Sequence, residues 1–170
     1  MPNEMTYIIN LKTFGADAYE HEYHLDKAWL NREGAVKLTG GDCIAKVVLQ
    51  RIKNDFALTI QLKGFVSCPC DRCLDDVEVP IQCEETMQVK LARETPTDDL
   101  TVFIDPTEGN LNLGELFYEL IITNLPIVIR HQEGKCNPQM EELLQTYLCS
   151  LSEEQNDNLE AFPEAWGKIV

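Results

Sequence analysis

Two pairs of metal-ligating residues, far apart in the chain, place the tightest restriction on how it can fold. One is Cys70-Asp-Arg-Cys73; the other is His131-Gln-Glu-Gly-Lys-Cys136. Each spacing lets both side chains reach one tetrahedral ion, and together they offer three thiolates and an imidazole, a donor set that suits zinc. Fifty-seven residues lie between Cys73 and His131, far more than in a self-contained zinc finger. A four-ligand site therefore needs a fold that carries two remote segments to one place. Arg72, inside the first pair, is expected to favour the thiolate form, and Gly134, inside the second, permits the turn that brings His131 toward Cys136.

Each of these residues also has a plainer reading. A histidine such as His131 is commonly just solvated or hydrogen-bonded. Cys43, Cys83 and Cys149 read as small apolar fillers. Cys68, just ahead of the first pair, could serve as a substitute ligand, since a Cys-x-Cys pair rarely closes an unstrained disulfide. A redox use of Cys70 and Cys73 is the alternative from another class. Such a site normally sits at a helix N-terminus, whereas this motif runs from strand to strand.

Composition narrows the partners. The chain has 170 residues, 29 acidic against 14 Lys and Arg, for a net charge of −15. That field repels nucleic acid, whose binders usually carry a basic face, and suits a basic protein partner. Seven cysteines, the absence of a basic leader in Met1–Thr6 and the lack of a membrane-length apolar run lead us to expect a cytoplasmic protein with thiols or metal ligands rather than disulfides. No phosphate-binding glycine loop, nucleophile elbow or dinucleotide fingerprint is present.

Hydrophobic periodicity predicts strands at Tyr7–Leu11, Ala18–Leu25, Ile44–Ile52, Phe56–Val66, Val77–Cys83, Thr86–Leu91 and Leu100–Ile104, with a turn at Asn54-Asp55 and an edge or bulge at Pro80. Asp26 is placed to cap a short helix through Trp29 and Leu30, ended near Gly34. Asn112, with Glu115 three residues on, opens a helix ended by Pro126, and Pro138 opens another. Residues 150–158 read as a frayed linker, and Leu159, Phe162, Trp166 and Ile169 as a short docked turn or a loose tail. The expected fold is α+β: a mainly antiparallel, bent sheet with C-terminal helices packed on it. Residues 1–149 are expected to form a single domain, and residues 150–170 an acidic tail.

The order of these features resembles the YceD family of large ribosomal RNA subunit accumulation proteins. It is carried by Gly64 and a strand leading into Cys70-Asp-Arg-Cys73-Leu74, then a helix with Leu113-x-Glu115-Leu116-x-x-Glu119-Leu120, then Leu125-Pro126-Ile127, His131 and Cys136. The resemblance spans about residues 40–145. It implies a cytoplasmic, non-catalytic factor supporting large-subunit ribosomal RNA, with Cys70, Cys73, His131 and Cys136 as metal ligands. The extra Cys68-Pro69 and the acidic C-terminal region depart from the family pattern. The partner would be the precursor large subunit, met as RNA or as a basic ribosomal protein, with no membrane and no small-molecule substrate. The residues available for RNA contact are Arg72, Lys46, Arg51, Lys53 and Lys63; the plainer reading of the four on strands is scattered surface charge.

Overall fold

The computed structural model describes residues 7–15, 17–31, 37–93 and 100–154. Its elements in chain order are β1 (Ile8–Asn10), β2 (Ala18–Leu25), α1 (Lys27–Leu30), β3 (Gly40–Ile52), β4 (Asp55–Pro69), β5 (Asp76–Leu91), β6 (Thr101–Ile104), β7 (Asn110–Asn112), α2 (Leu113–Thr123) and α3 (Pro138–Glu154). Five strands form one sheet in the order β2-β3-β4-β5-β6, and β1 pairs with β7 in a two-stranded sheet. All pairings are antiparallel except β5–β6. The fold is α+β, as the periodicity predicts.

The sheet is built from alternation. Odd residues of β3 and even residues of β4 share its inner face, so Ala45, Val47 and Leu49 lie opposite Leu62, Ile60 and Leu58. All six are buried, and each such apolar side chain contributes about 1.5–3 kcal/mol, less for alanine. The opposite parity carries Lys46, Gln61, Lys63 and Glu84 to the outer face. At the Gly41–Val66 and Cys43–Gly64 pairs of β3 and β4, the positive φ of Gly41 (+139) and Gly64 (+154) requires glycine. A Cβ on Gly64 would overlap the carbonyl oxygen of Asp42, and one on Gly41 would sit 2.5 Å from that of Phe65.

Phe117 of α2 anchors the helical layer. Its ring meets Tyr7, Tyr23 and Trp29 at centroid distances of 6.3, 5.5 and 6.4 Å. Asp26 caps α1, its carboxylate accepting from Trp29 N–H at 2.9 Å. Asn112 caps α2, accepting from Gly114 and Glu115 N–H at 3.1 and 3.4 Å.

Several boundaries differ from the sequence reading. The β3–β4 loop is Lys53-Asn54, one residue earlier than expected, because Ile52 pairs with Asp55. The two segments at 77–83 and 86–91 are one strand, β5, carried through Glu84-Glu85 by pairing with β4. β6 covers only Gln88–Leu91 of β5, so Pro80 lies on an uncovered stretch, where its missing N–H costs nothing. The pairing of Asn110–Asn112 with β1 has no alternating signal and is absent from the sequence reading. α3 runs to Glu154, so a linker beginning at Ser150 is incorrect for its first residues and the expected boundary at 149 falls inside a helix. Gly34, residues 94–99 of the expected loop, and 155–170 with Leu159, Phe162, Trp166 and Ile169 lie outside the described residues. No helix among the described residues is long and apolar enough to cross a membrane.

Candidate metal centre

The first half of the site is the β4–β5 turn. After Pro69 the chain turns through residues 71–73 and enters β5 at Asp76. Cys70 N–H donates to the Asp75 carbonyl at 2.8 Å, and Leu74 N–H donates back to the Cys70 carbonyl at 3.0 Å. This tight loop holds Leu74 in the left-handed region at φ +65. It also aims Arg72 N–H at the Cys70 sulfur, 3.4 Å away.

The second half arrives from α2. Beyond Pro126 the chain returns to the turn and is fastened there by Asp71. Asp71 N–H donates to the Ile129 carbonyl at 2.8 Å, and Ile129 N–H donates to the Asp71 carboxylate at 2.7 Å. His131 follows two residues on. Gly134 (φ +75) closes a turn in which Lys135 N–H donates to the Gln132 carbonyl at 3.0 Å, and this presents Cys136. Asn137 then accepts from Gln139 N–H at 3.1 Å at the start of α3, while its amide reaches Asp75 at 3.4 Å.

One ligand atom from each of Cys70, Cys73, His131 and Cys136 lies within 4.8 Å of the others. Zinc–sulfur and zinc–nitrogen bonds of about 2.3 and 2.0–2.1 Å imply tetrahedral edges of about 3.8 Å between sulfurs and about 3.5 Å between sulfur and nitrogen. Cys70 Sγ and Cys136 Sγ are 3.9 Å apart, and Cys73 Sγ and His131 Nδ1 are 3.4 Å apart. His131 Nε2 lies 3.2 Å from the Asp76 carbonyl. An Nε2–H donated there leaves the Nδ1 lone pair facing the sulfurs, the outer hydrogen bond that metal-binding histidines normally make. Val77 and Met140 pack around the three sulfurs, which form an apolar cluster of their own. The donor set and its spacing fit a metal ion.

Electrostatics separates the thiols. Burial pushes the Cys70 thiol up, but the backbone N–H groups of Cys73, Arg72 and His131 outweigh it and lower the thiol to about 6. Burial, together with the neighbouring sulfurs of Cys70 and Cys73, raises Cys136 to about 11. A cation at the centre would remove that mutual repulsion and hold the thiols as thiolates.

The effect expected of the Arg72 charge comes instead from its backbone. Its N–H reaches Cys70, while its guanidinium lies 3.7 Å from Glu141 of α3. Cys68 is buried in the main core, outside the group of four. Cys43 is buried there as well, its thiol donating to the Phe65 carbonyl at 3.3 Å, and Cys83 packs against it; the side chain of Cys149 lies outside the described residues. The basic residues are dispersed. Lys46 and Lys63 share the outer sheet face, but Lys46 is engaged by Glu20 at 2.6 Å. Arg51 points to the other face, donating to the Phe14 carbonyl at 2.5 Å with its guanidinium 5.2 Å from the centre of the Phe56 ring. Lys53 occupies the hairpin loop at φ +58. Asp71, which clasps the two halves, is absent from the sequence reading, because an aspartate inside Cys-x-x-Cys looks like ordinary turn chemistry.

No curated protein and no solved structure matches the chain. A family model described as "Large ribosomal RNA subunit accumulation protein YceD" matches residues 58–166, beginning on β4 and including both halves of the site. The match starts later and ends later than the span read from the motifs. By that match, this chain belongs to the YceD family.

Proposed function

We propose that the protein is a non-catalytic ribosome-biogenesis factor of the cytoplasm that supports accumulation of large-subunit ribosomal RNA. In this reading a zinc ion held by Cys70, Cys73, His131 and Cys136 fastens its C-terminal half to the sheet. The observation that carries the metal is the convergence of four ligand atoms from segments more than fifty residues apart. Family membership supports the ribosomal role. The zinc is structural: all four positions of a tetrahedron are filled by protein, leaving none for water or substrate. In this reading residues 1–149 act as one domain, and α3 carries the chain across that boundary into the acidic 150–170 extension. The net charge of −15 favours a basic ribosomal protein over naked RNA as the direct partner.

One observation favours thiol chemistry, the lowered Cys70 thiol. Against it, Cys70 and Cys73 are 0% and 3% exposed, whereas reactive thiols need access. Rapid alkylation of Cys70 in the metal-free protein would favour the thiol reading, and slow, ordinary-thiol kinetics would remove it.

The test has two arms. Metal analysis of the purified protein is expected to return one zinc per chain. In a sucrose gradient of native lysate, the protein is expected to co-migrate with large-subunit precursors at low salt and to be released as salt rises. Migration as a small free protein at every salt concentration would count against the ribosomal role. Absence of bound metal after purification without chelators would remove the zinc.

A further inference from the structure

The metal turn carries apolar side chains that its fold holds away from the core. Ile127 is 100% exposed, Leu74 68% and Val128 50%. Single exposed apolar residues are ordinary; these three sit on two segments that the Asp71–Ile129 hydrogen bonds fasten to each other. Leu125 packs on the main core and Ile129 is buried, so Ile127 and Val128 are held outward between two anchored neighbours. Leu74 occupies a left-handed conformation that glycine or asparagine would adopt with less strain. The fold therefore presents a bulky apolar group at a position where local energetics disfavour it.

The two segments that carry these residues are net acidic. From Asp71 to Glu78 four acidic residues stand against Arg72, and from Arg130 to Glu142 three stand against Arg130 and Lys135. With a divalent ion bound, three thiolates around it would add one further negative charge. We infer that Leu74, Ile127 and Val128 on the metal turn form a docking surface for a basic segment of a large-subunit ribosomal protein, with apolar side chains at its centre and Lys or Arg at its edges. The inference rests on the ribosomal reading above and names the surface through which it acts. Apolar contacts at the centre supply the affinity, and the net acidic charge of the two segments supplies attraction and its salt dependence.

The test measures binding of the zinc-loaded full chain to individually purified large-subunit ribosomal proteins, and separately to large-subunit ribosomal RNA, at two salt concentrations. The variants are Leu74→Asn with Ile127→Asn, Ile127→Asn alone, and Ile44→Asn as a control on the outer sheet face. Asparagine tolerates the left-handed backbone, so the turn is kept. At least one protein is expected to bind the wild type and Ile44→Asn alike, and to lose about tenfold or more in affinity with the double variant. Should the double variant lose zinc, Ile127→Asn, which leaves the ligand turn untouched, decides by the same criterion. Wild-type and variant binding of equal strength would overturn this surface and leave the ribosomal reading standing. Binding to RNA alone, or a wild-type dimer dissolved by the double variant, would also overturn it and assign the patch to RNA or to a second copy of the chain. No binding by the wild type to any of these would overturn the ribosomal reading and the surface together.

Discussion

Removing the Asp71 carboxylate tests whether the metal centre depends on the clasp between its halves. In Asp71→Ala the 2.7 Å bond to Ile129 N–H disappears, while the backbone bond from residue 71 to the Ile129 carbonyl can persist. A hydrogen bond to an ionised acceptor contributes about 1.5–3 kcal/mol, and the surviving backbone bond places the expected loss near the lower end, about 1.5–2 kcal/mol. Ile129 is 6% exposed, so its orphaned N–H finds little water without opening the loop. Opening separates His131 and Cys136 from Cys70 and Cys73, and the metal must then supply the energy of closing. Since 1.4 kcal/mol is a factor of ten, zinc affinity is expected to fall about tenfold to thirtyfold. Competition with a chromophoric chelator at constant pH measures it. Asp71→Asn, whose amide oxygen still accepts, should recover most of the loss. An alanine variant within twofold of the wild type would refute the clasp.

Cys136→Ser should reduce the sulfur-to-metal charge-transfer absorption of the cobalt-loaded protein and weaken metal binding by about a hundredfold; an unchanged spectrum would place Cys136 outside the site. The Cys70 thiol lies near 6 in the folded protein against an ordinary value of 9.0, so the unfolded chain binds more protons between these values. The stability of the metal-free protein should therefore fall as pH drops from about 9 through about 6, and Cys70→Ser should flatten that limb of a denaturant midpoint–pH curve. For the same reason zinc binding above pH 7 should release fewer than three protons, countable by calorimetry in buffers of different ionisation enthalpy. Gly64→Ala places a methyl group against the Asp42 carbonyl at positive φ, so urea denaturation should show a loss of about 2–4 kcal/mol. Asn112→Ala removes the α2 cap and should cost about 1 kcal/mol, seen as a melting point lower by about 2–4 °C.

The strands were legible where one face is buried and the other wet. Ala18–Leu25 alternates loosely and the two strands meeting at Ile52 and Asp55 more regularly, and the three pair in order. Helix starts at Asp26, Asn112 and Pro138 were legible because capping is local chemistry. β7 was not, because three residues, Asn-Leu-Asn, carry no period of their own and become a strand only beside β1. The four site residues could be nominated from spacing, but their meeting could not be derived from it. That meeting is bridged by Asp71 accepting from Ile129 across a separation of 58 residues. Side-chain direction was also beyond reach: Arg72 lies in the ligand turn, yet it acts on Cys70 through its amide and spends its guanidinium on Glu141.

The separation of the two ligand pairs bears on when the centre can form. The β3–β4–β5 meander pairs neighbours in sequence, so its loops are short to close and it can assemble early. Cys70 and Cys73 emerge with it but offer an ion only two ligands. His131 and Cys136 are synthesised some sixty residues later and reach the turn by way of α2, whose Phe117 sits against Tyr7, Tyr23 and Trp29. Full metal retention would thus record a history, distinguishing a finished molecule from a nascent one by how firmly it keeps its ion.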